Sequence, residues 1–217
     1  MMLNLFSMFD PSTGLLSLNW FSMFMFMFLP TPFWMTPSKL TSILMNTYMK
    51  ITKEIIMHIK TGKPSILLVS MFSYLLMINV MGLMPYVFTA SAHLCVSLTI
   101  ALTMWMSLMM YGWLYSTNNM FTHLVPMGTP APLMPFMVLI ESISNLIRPG
   151  SLAVRLTANM IAGHLLMSLL GNNLISNFPL MLIMMWLFMG LMVFELAVAF
   201  IQSYVFMTLS TLYSSEI

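Results

Sequence analysis

The sequence predicts an all-α integral membrane protein with about five membrane helices, one surface amphipathic helix and a long, steeply tilted C-terminal helical hairpin. Three observations carry this expectation. The chain is 60% hydrophobic and 6% charged, with a mean hydropathy of +0.95, far from the balance of a soluble domain. Between Pro64 and Ile140, 77 consecutive residues include no Asp, Glu, Lys or Arg. The last two apolar segments are each 36 residues long, twice what one crossing needs.

Taken in order, Leu15 to Phe33 is rich in Phe and Met and closes at Pro30 and Pro32, which predicts a first transmembrane helix. Thr36–Lys63 holds five of the seven basic residues: Lys39, Lys50, Lys53, Lys60 and Lys63. Ile51, Ile55 and Ile59 repeat every four residues among them, the pattern of an amphipathic helix lying on a membrane surface. Ser65–Phe88 and His93–Tyr115 are uncharged runs of transmembrane length joined by a short turn. Ser116–Pro135 contains Pro126, Pro130, Pro132 and Pro135 and cannot be one regular helix. Phe136–Gly171 and Phe178–Tyr213 then form the hairpin, parted by Gly171-Asn172-Asn173 and Pro179, with Pro149-Gly150 a bend point in its first arm. Each arm would be about 54 Å long against a hydrocarbon core of about 30 Å, so both must tilt, bend or extend past the membrane.

These features bound the chemistry. The whole chain, 1–217, reads as one membrane domain with no room for a soluble catalytic domain, no P-loop and no dinucleotide fingerprint. A net charge of +2 carries no nucleic-acid signal, and the lone Cys95 excludes a disulfide framework. His58, His93 and His123 lack ligand spacing, so neither a metal nor another cofactor is expected. No Lys or Arg precedes Lys39, so neither a signal peptide nor an Arg-rich transit peptide is visible. Thirty Met residues resemble the usage of animal mitochondrial genomes.

The functional candidates are the charges that break the apolar hairpin: Glu141, Arg148, Arg155 and Glu195. A charge at the bilayer centre costs about 2.5–3.5 kcal/mol on insertion scales, and a guanidinium cannot evade that cost by deprotonating. At 100° per residue, Ser151, Arg155, Ala158, Asn159 and Ala162 share one helix face, small apart from the arginine. Glu195, Ala199 and Gln202 form a second thin stripe at i, i+4 and i+7. Such stripes predict a close docking or sliding surface against another helix. Asn145 and Asn159 are expected as interhelical hydrogen bonders, and Arg148 as an interfacial snorkelling cation.

Leu152-Ala153-Val154-Arg155-Leu156-Thr157-Ala158-Asn159, followed by Ala162-Gly163-His164, resembles the signature of the a-subunit family of F-type ATP synthases, in its mitochondrial version. Glu195-Leu196-Ala197-Val198-Ala199-Phe200-Ile201-Gln202-Ser203-Tyr204-Val205-Phe206 is similar to the family's second signature. The resemblance implies a proton-conducting stator subunit of the mitochondrial inner membrane. Its partners would be c-ring subunits carrying a membrane carboxylate, other membrane-sector and peripheral-stalk subunits, protons and the lipid bilayer. It implies an essential Arg155 between two half-channels, with His164 and Glu195 on the outer side and Glu141 and Glu216 on the matrix side. Gln202 and Asn159 accompany the arginine, Tyr204 is a supporting residue, and Arg148 becomes a helper cation for matrix-side release. The lysine segment, by the positive-inside rule, sets the N-terminus in the intermembrane space and the C-terminus in the matrix.

An antiparallel hairpin offers a check within the sequence. The implied pairs Arg155 with Gln202, His164 with Glu195, and Glu141 with Glu216 have number sums of 357, 359 and 357, so one register about Pro179 satisfies all three. His164 lies about 180° around its helix from Arg155 and would face away from the ring. The alternative functions are a proton-pumping respiratory-complex subunit or a secondary transporter, which would place Lys and Glu at broken helices or inverted repeats. A structural scaffold would need neither Arg155 nor Glu195 at mid-span.

Overall fold

Helix is the only regular structure among the described residues, which in this computed structural model are 5–14, 16–30, 36–59, 64–125, 130–176 and 181–216. The six α-helices are α1 (Lys39–Ile59), α2 (Ser65–Gly82), α3 (Leu94–Tyr115), α4 (Thr117–His123), α5 (Met134–Ser176) and α6 (Met181–Glu216). Four of them, α2, α3, α5 and α6, are long and apolar enough to cross a membrane.

The first apolar segment, expected as a transmembrane helix over 15–33, is helical in its middle, and residues 15 and 31–33 lie outside the described residues. It is a 3-10 helix over Leu18–Phe28, eleven residues that span about 22 Å at a rise of about 2 Å each. Its Phe-, Trp-, Ser- and Asn-containing sequence has modest helix propensity, and its rings are fixed at separate stations. Trp20 packs against Phe88 and His93 at 5.5 and 5.2 Å, and Phe26 meets Tyr74 at 5.6 Å. A stretched backbone lets one short run reach all of these rings.

Helix α1 is amphipathic as expected, but its apolar face meets protein. Ile55 is buried with Leu68 and Phe72 of α2, Met104 of α3 and Met207 of α6, and Ile51 and Ile59 pack against the same cluster. Lys60 and Lys63 lie outside the described residues. Helix α2 stops at Gly82, six residues short of the expected end, because Pro85 follows and the chain turns back over Gly82. A Cβ on Gly82 would stand 3.2 Å from Thr89 Cγ2, so glycine permits this close approach. The Pro-rich connection contains the short α4 and a 3-10 turn over Ala131–Leu133.

The central cluster joins Leu75 of α2, Ala101 of α3, Leu152, Ala153 and Leu156 of α5, and Phe206 of α6. Ala101 and Ala153 are almost completely buried, and their size allows the helices to approach closely. The hairpin is longer than expected. Helix α5 runs 43 residues, passing through Pro149 and through Gly171-Asn172-Asn173 to Ser176. Pro149 has no N–H, so the Asn145 carbonyl lacks its usual helical donor, yet the helix continues into the packed residues Leu152, Ala153 and Leu156. Pro179 lies outside the described residues. At about 65 Å and 54 Å, both arms exceed one perpendicular crossing.

Candidate functional site along the hairpin

Helix α5 presents an open stripe. Ser151, Arg155, Ala158 and Ala162 are exposed and Asn159 is half-buried, while Leu152, Ala153, Leu156, Thr157 and Met160 turn inward. Among the described residues no carboxylate pairs with Arg155. Its nearest polar company on α6 is Gln202: the two line a void of about 10 Å³ with Leu152, Leu156, Val205 and Phe206. That volume is at the lower limit for one water.

The α6 stripe behaves differently and corrects the expectation of a second docking surface. Glu195 and Ala199 are 5% and 1% exposed, and Gln202 is half-buried. Ala199 packs with Leu83, just beyond the end of α2, and Met167 of α5. The Glu195 carboxylate lies against the backbone of Gly163, where any Cβ would collide with the carboxyl carbon and both oxygens. Gly163, which the sequence offers as part of the Ala162-Gly163-His164 signature without a role of its own, therefore makes room for the Glu195 carboxylate. Its number and that of Glu195 sum to 358, within the register of the hairpin, and that sum was the available signal.

His164, next to Gly163, lies on the opposite face of α5 from Arg155, as the spacing requires. It is 7% exposed, meets the Phe9 ring edge-on at 6.3 Å, and its Nε2 is buried with no hydrogen-bond partner. Five more side chains share this condition: Ser22 at Oγ, Asn79 at both polar atoms, Ser91 at Oγ, His93 at Nε2 and Asn145 at Oδ1. In native proteins such atoms are almost always satisfied, by protein or by water.

At the other end, Glu141 and Arg148 form an ion pair at 3.7 Å, and the Arg148 guanidinium stands 4.8 Å from the centre of the Tyr213 ring. Both charges line a cavity of about 450 Å³ walled by Trp105, Trp113 and Tyr213, with Asn145 at its side. Asn145 Oδ1 is buried without a partner, and the Asn159 side chain also makes no hydrogen bond to a described residue. Both asparagines depart from the expected interhelical bonding, because each lies beside open space: the cavity for Asn145, the open stripe for Asn159. The Glu216 side chain lies outside the described residues. Tyr204 does find a partner, since its hydroxyl donates to Glu54 Oε2 on α1 at 3.3 Å. Among the described residues no cluster of His, Cys, Asp or Glu could hold a metal.

The fold and these charges define a class, a multi-pass helical membrane subunit with a lone arginine on the open face of a long hairpin. The sequence profile of the ATP synthase A chain family matches residues 13–215. Similar chains include ATP synthase subunit a of Locusta migratoria, 54% identical over 233 residues, and of Drosophila melanogaster, 51% over 224. That of Anopheles gambiae is 50% identical over 229 residues, and in all three matches 100% of each chain is covered. The chain belongs to the ATP synthase A chain family. It is thus a membrane-sector component of an ATP synthase, not a subunit of a respiratory complex or a secondary transporter.

Proposed function

We propose that this chain is the static partner of a rotating ring of carboxylate-bearing subunits and conducts protons through two half-channels that Arg155 separates. The observation that carries this reading is Arg155 itself: a permanent cation on an open, small-residue face, with no acid among the described residues to neutralise it. Such a cation holds a passing carboxylate in its ionised form and repels protons from a direct path. A lysine would serve less well, because burial can remove its proton. Gln202 and Asn159 supply neutral hydrogen-bonding groups beside the passing carboxylate.

Glu195 and His164 line the outer half-channel, nine residues or about 13 Å along α5 from Arg155. The unpartnered polar atoms of Asn79, Ser91, His93 and His164 support a hydrated route to them. Glu141, fourteen residues or about 21 Å along α5 from Arg155, belongs to the matrix half-channel with Arg148, Asn145 and the 450 Å³ cavity, and Glu216 lies beyond. The lysines of α1 support a matrix placement for that helix, and the methionine usage supports the mitochondrial inner membrane. Other membrane-sector and peripheral-stalk subunits complete the assembly, and nucleotide chemistry resides outside this chain. Each proton crossing 100 mV supplies about 2.3 kcal/mol to rotation. In the intact complex, Arg155→Ala should abolish ATP-driven proton pumping while assembly persists; pumping at the normal rate in that variant would overturn the reading.

A further inference from the structure

Glu54 is the sole acid of α1, set on a helix whose charged side chains are otherwise lysines. Lys50 stands four residues before it, a spacing at which helical ion pairs form, yet no described lysine pairs with Glu54. Instead its carboxylate accepts a hydrogen bond from Tyr204, 150 residues away on α6. The contact is reinforced one turn away, where Ile55 and Met207 are buried together at 1% and 2% exposure. Tyr204 lies two residues, or about 200° of helix, from Gln202. Helix α1 therefore bears on the side of α6 opposite the residue that shares a void with Arg155.

We propose that Glu54, acting through Tyr204, is a positioning residue that braces α6 from behind and keeps Gln202 against Arg155. The inference rests on the rotary reading above. A helix about 54 Å long that faces a moving partner needs lateral support at the level where charge is exchanged. The α1 helix supplies it through one directional bond and one apolar cluster. Its function is geometric: without the bond, Gln202 and Arg155 separate and the ratio of protons pumped to ATP hydrolysed falls.

The test uses the intact complex in liposomes, comparing Tyr204→Phe, Glu54→Ala, their combination, and Glu54→Gln. Tyr204→Phe removes one oxygen and leaves packing intact, so it keeps the test decisive if Glu54→Ala assembles poorly. The expected result is a two- to fivefold lower pumping-to-hydrolysis ratio in each single variant, about the size expected for one hydrogen bond to an exposed charge. The double variant should be no worse than either single one, and Glu54→Gln, which keeps an accepting oxygen, should recover most of the ratio. A loss only in the amount of complex would not move this ratio. A normal ratio in Tyr204→Phe, additive losses in the double variant, or a Gln variant as poor as Ala would each overturn the inference. Those results, alongside loss of pumping in Arg155→Ala, would remove the brace alone and leave the rotary reading standing.

Discussion

The two sides of Arg155 are built on opposite principles. Toward the hairpin's turn, Glu195 is sealed at 5% exposure against a glycine, and His164 is buried beside Phe9. Toward the other end, Glu141 and Arg148 are 41% and 26% exposed and open onto a large cavity. A single buried carboxylate has its ionisation set by the protein around it, whereas an exposed ion pair is solvated and weakly coupled. In the proposed mechanism the closed side selects and meters protons and the open side lets them disperse.

This contrast orders the expected effects of substitution. Glu195→Gln should be the most damaging change after loss of Arg155, reducing flux at least tenfold and altering its pH dependence; an unchanged pH profile would remove Glu195 from the path. Gly163→Ala comes next. The added Cβ meets the end of a movable side chain, so assembly should survive while Glu195 is displaced. Overpacking of this kind costs about 1–3 kcal/mol, and flux should fall about tenfold. Normal flux in Gly163→Ala would mean that the carboxylate position is immaterial. Arg148→Gln should be milder, changing flux by fivefold or less, since an exposed ion pair contributes about 1 kcal/mol at most. A loss as deep as that of Glu195→Gln would collapse the distinction between the two sides. Trp113→Ala, which widens the open cavity and removes a ring contact with Phe121, should have the smallest effect on flux, readable as a change below about twofold.

Much of this arrangement was legible in the residues. That Ser151, Arg155, Ala158 and Ala162 share one face of α5 follows from helical period. The hairpin register was also legible: Glu195 meets Gly163, and Gln202 lines a void with Arg155, within one residue of the sums expected from the pairings. What period cannot reveal is which side of a helix its neighbours cover. The Glu195–Ala199–Gln202 stripe has the composition of a docking surface but is closed by Leu83 and Met167, contacts that depend on tertiary packing. The 3-10 form of the first segment was not legible for a related reason, since it depends on ring contacts to Tyr74, Phe88 and His93. Gly171 read as the end of the first arm, yet it lies inside α5, as does Pro149, which was read as a bend point within that arm. The Tyr204–Glu54 bond spans 150 residues and has no local signal at all.

Arg155, as proposed, is a barrier between two half-channels as well as a partner for the passing carboxylate. The most direct measurement of that role is passive proton conduction through the assembled complex in liposomes, under an imposed potential and without nucleotide, comparing wild type with Arg155→Ala. The variant, unable to pump, should conduct protons passively faster than wild type, because removing the cation joins the two paths. An assembled Arg155→Ala complex that stays as tight as wild type would contradict it, and the two half-channels would then need a barrier other than Arg155.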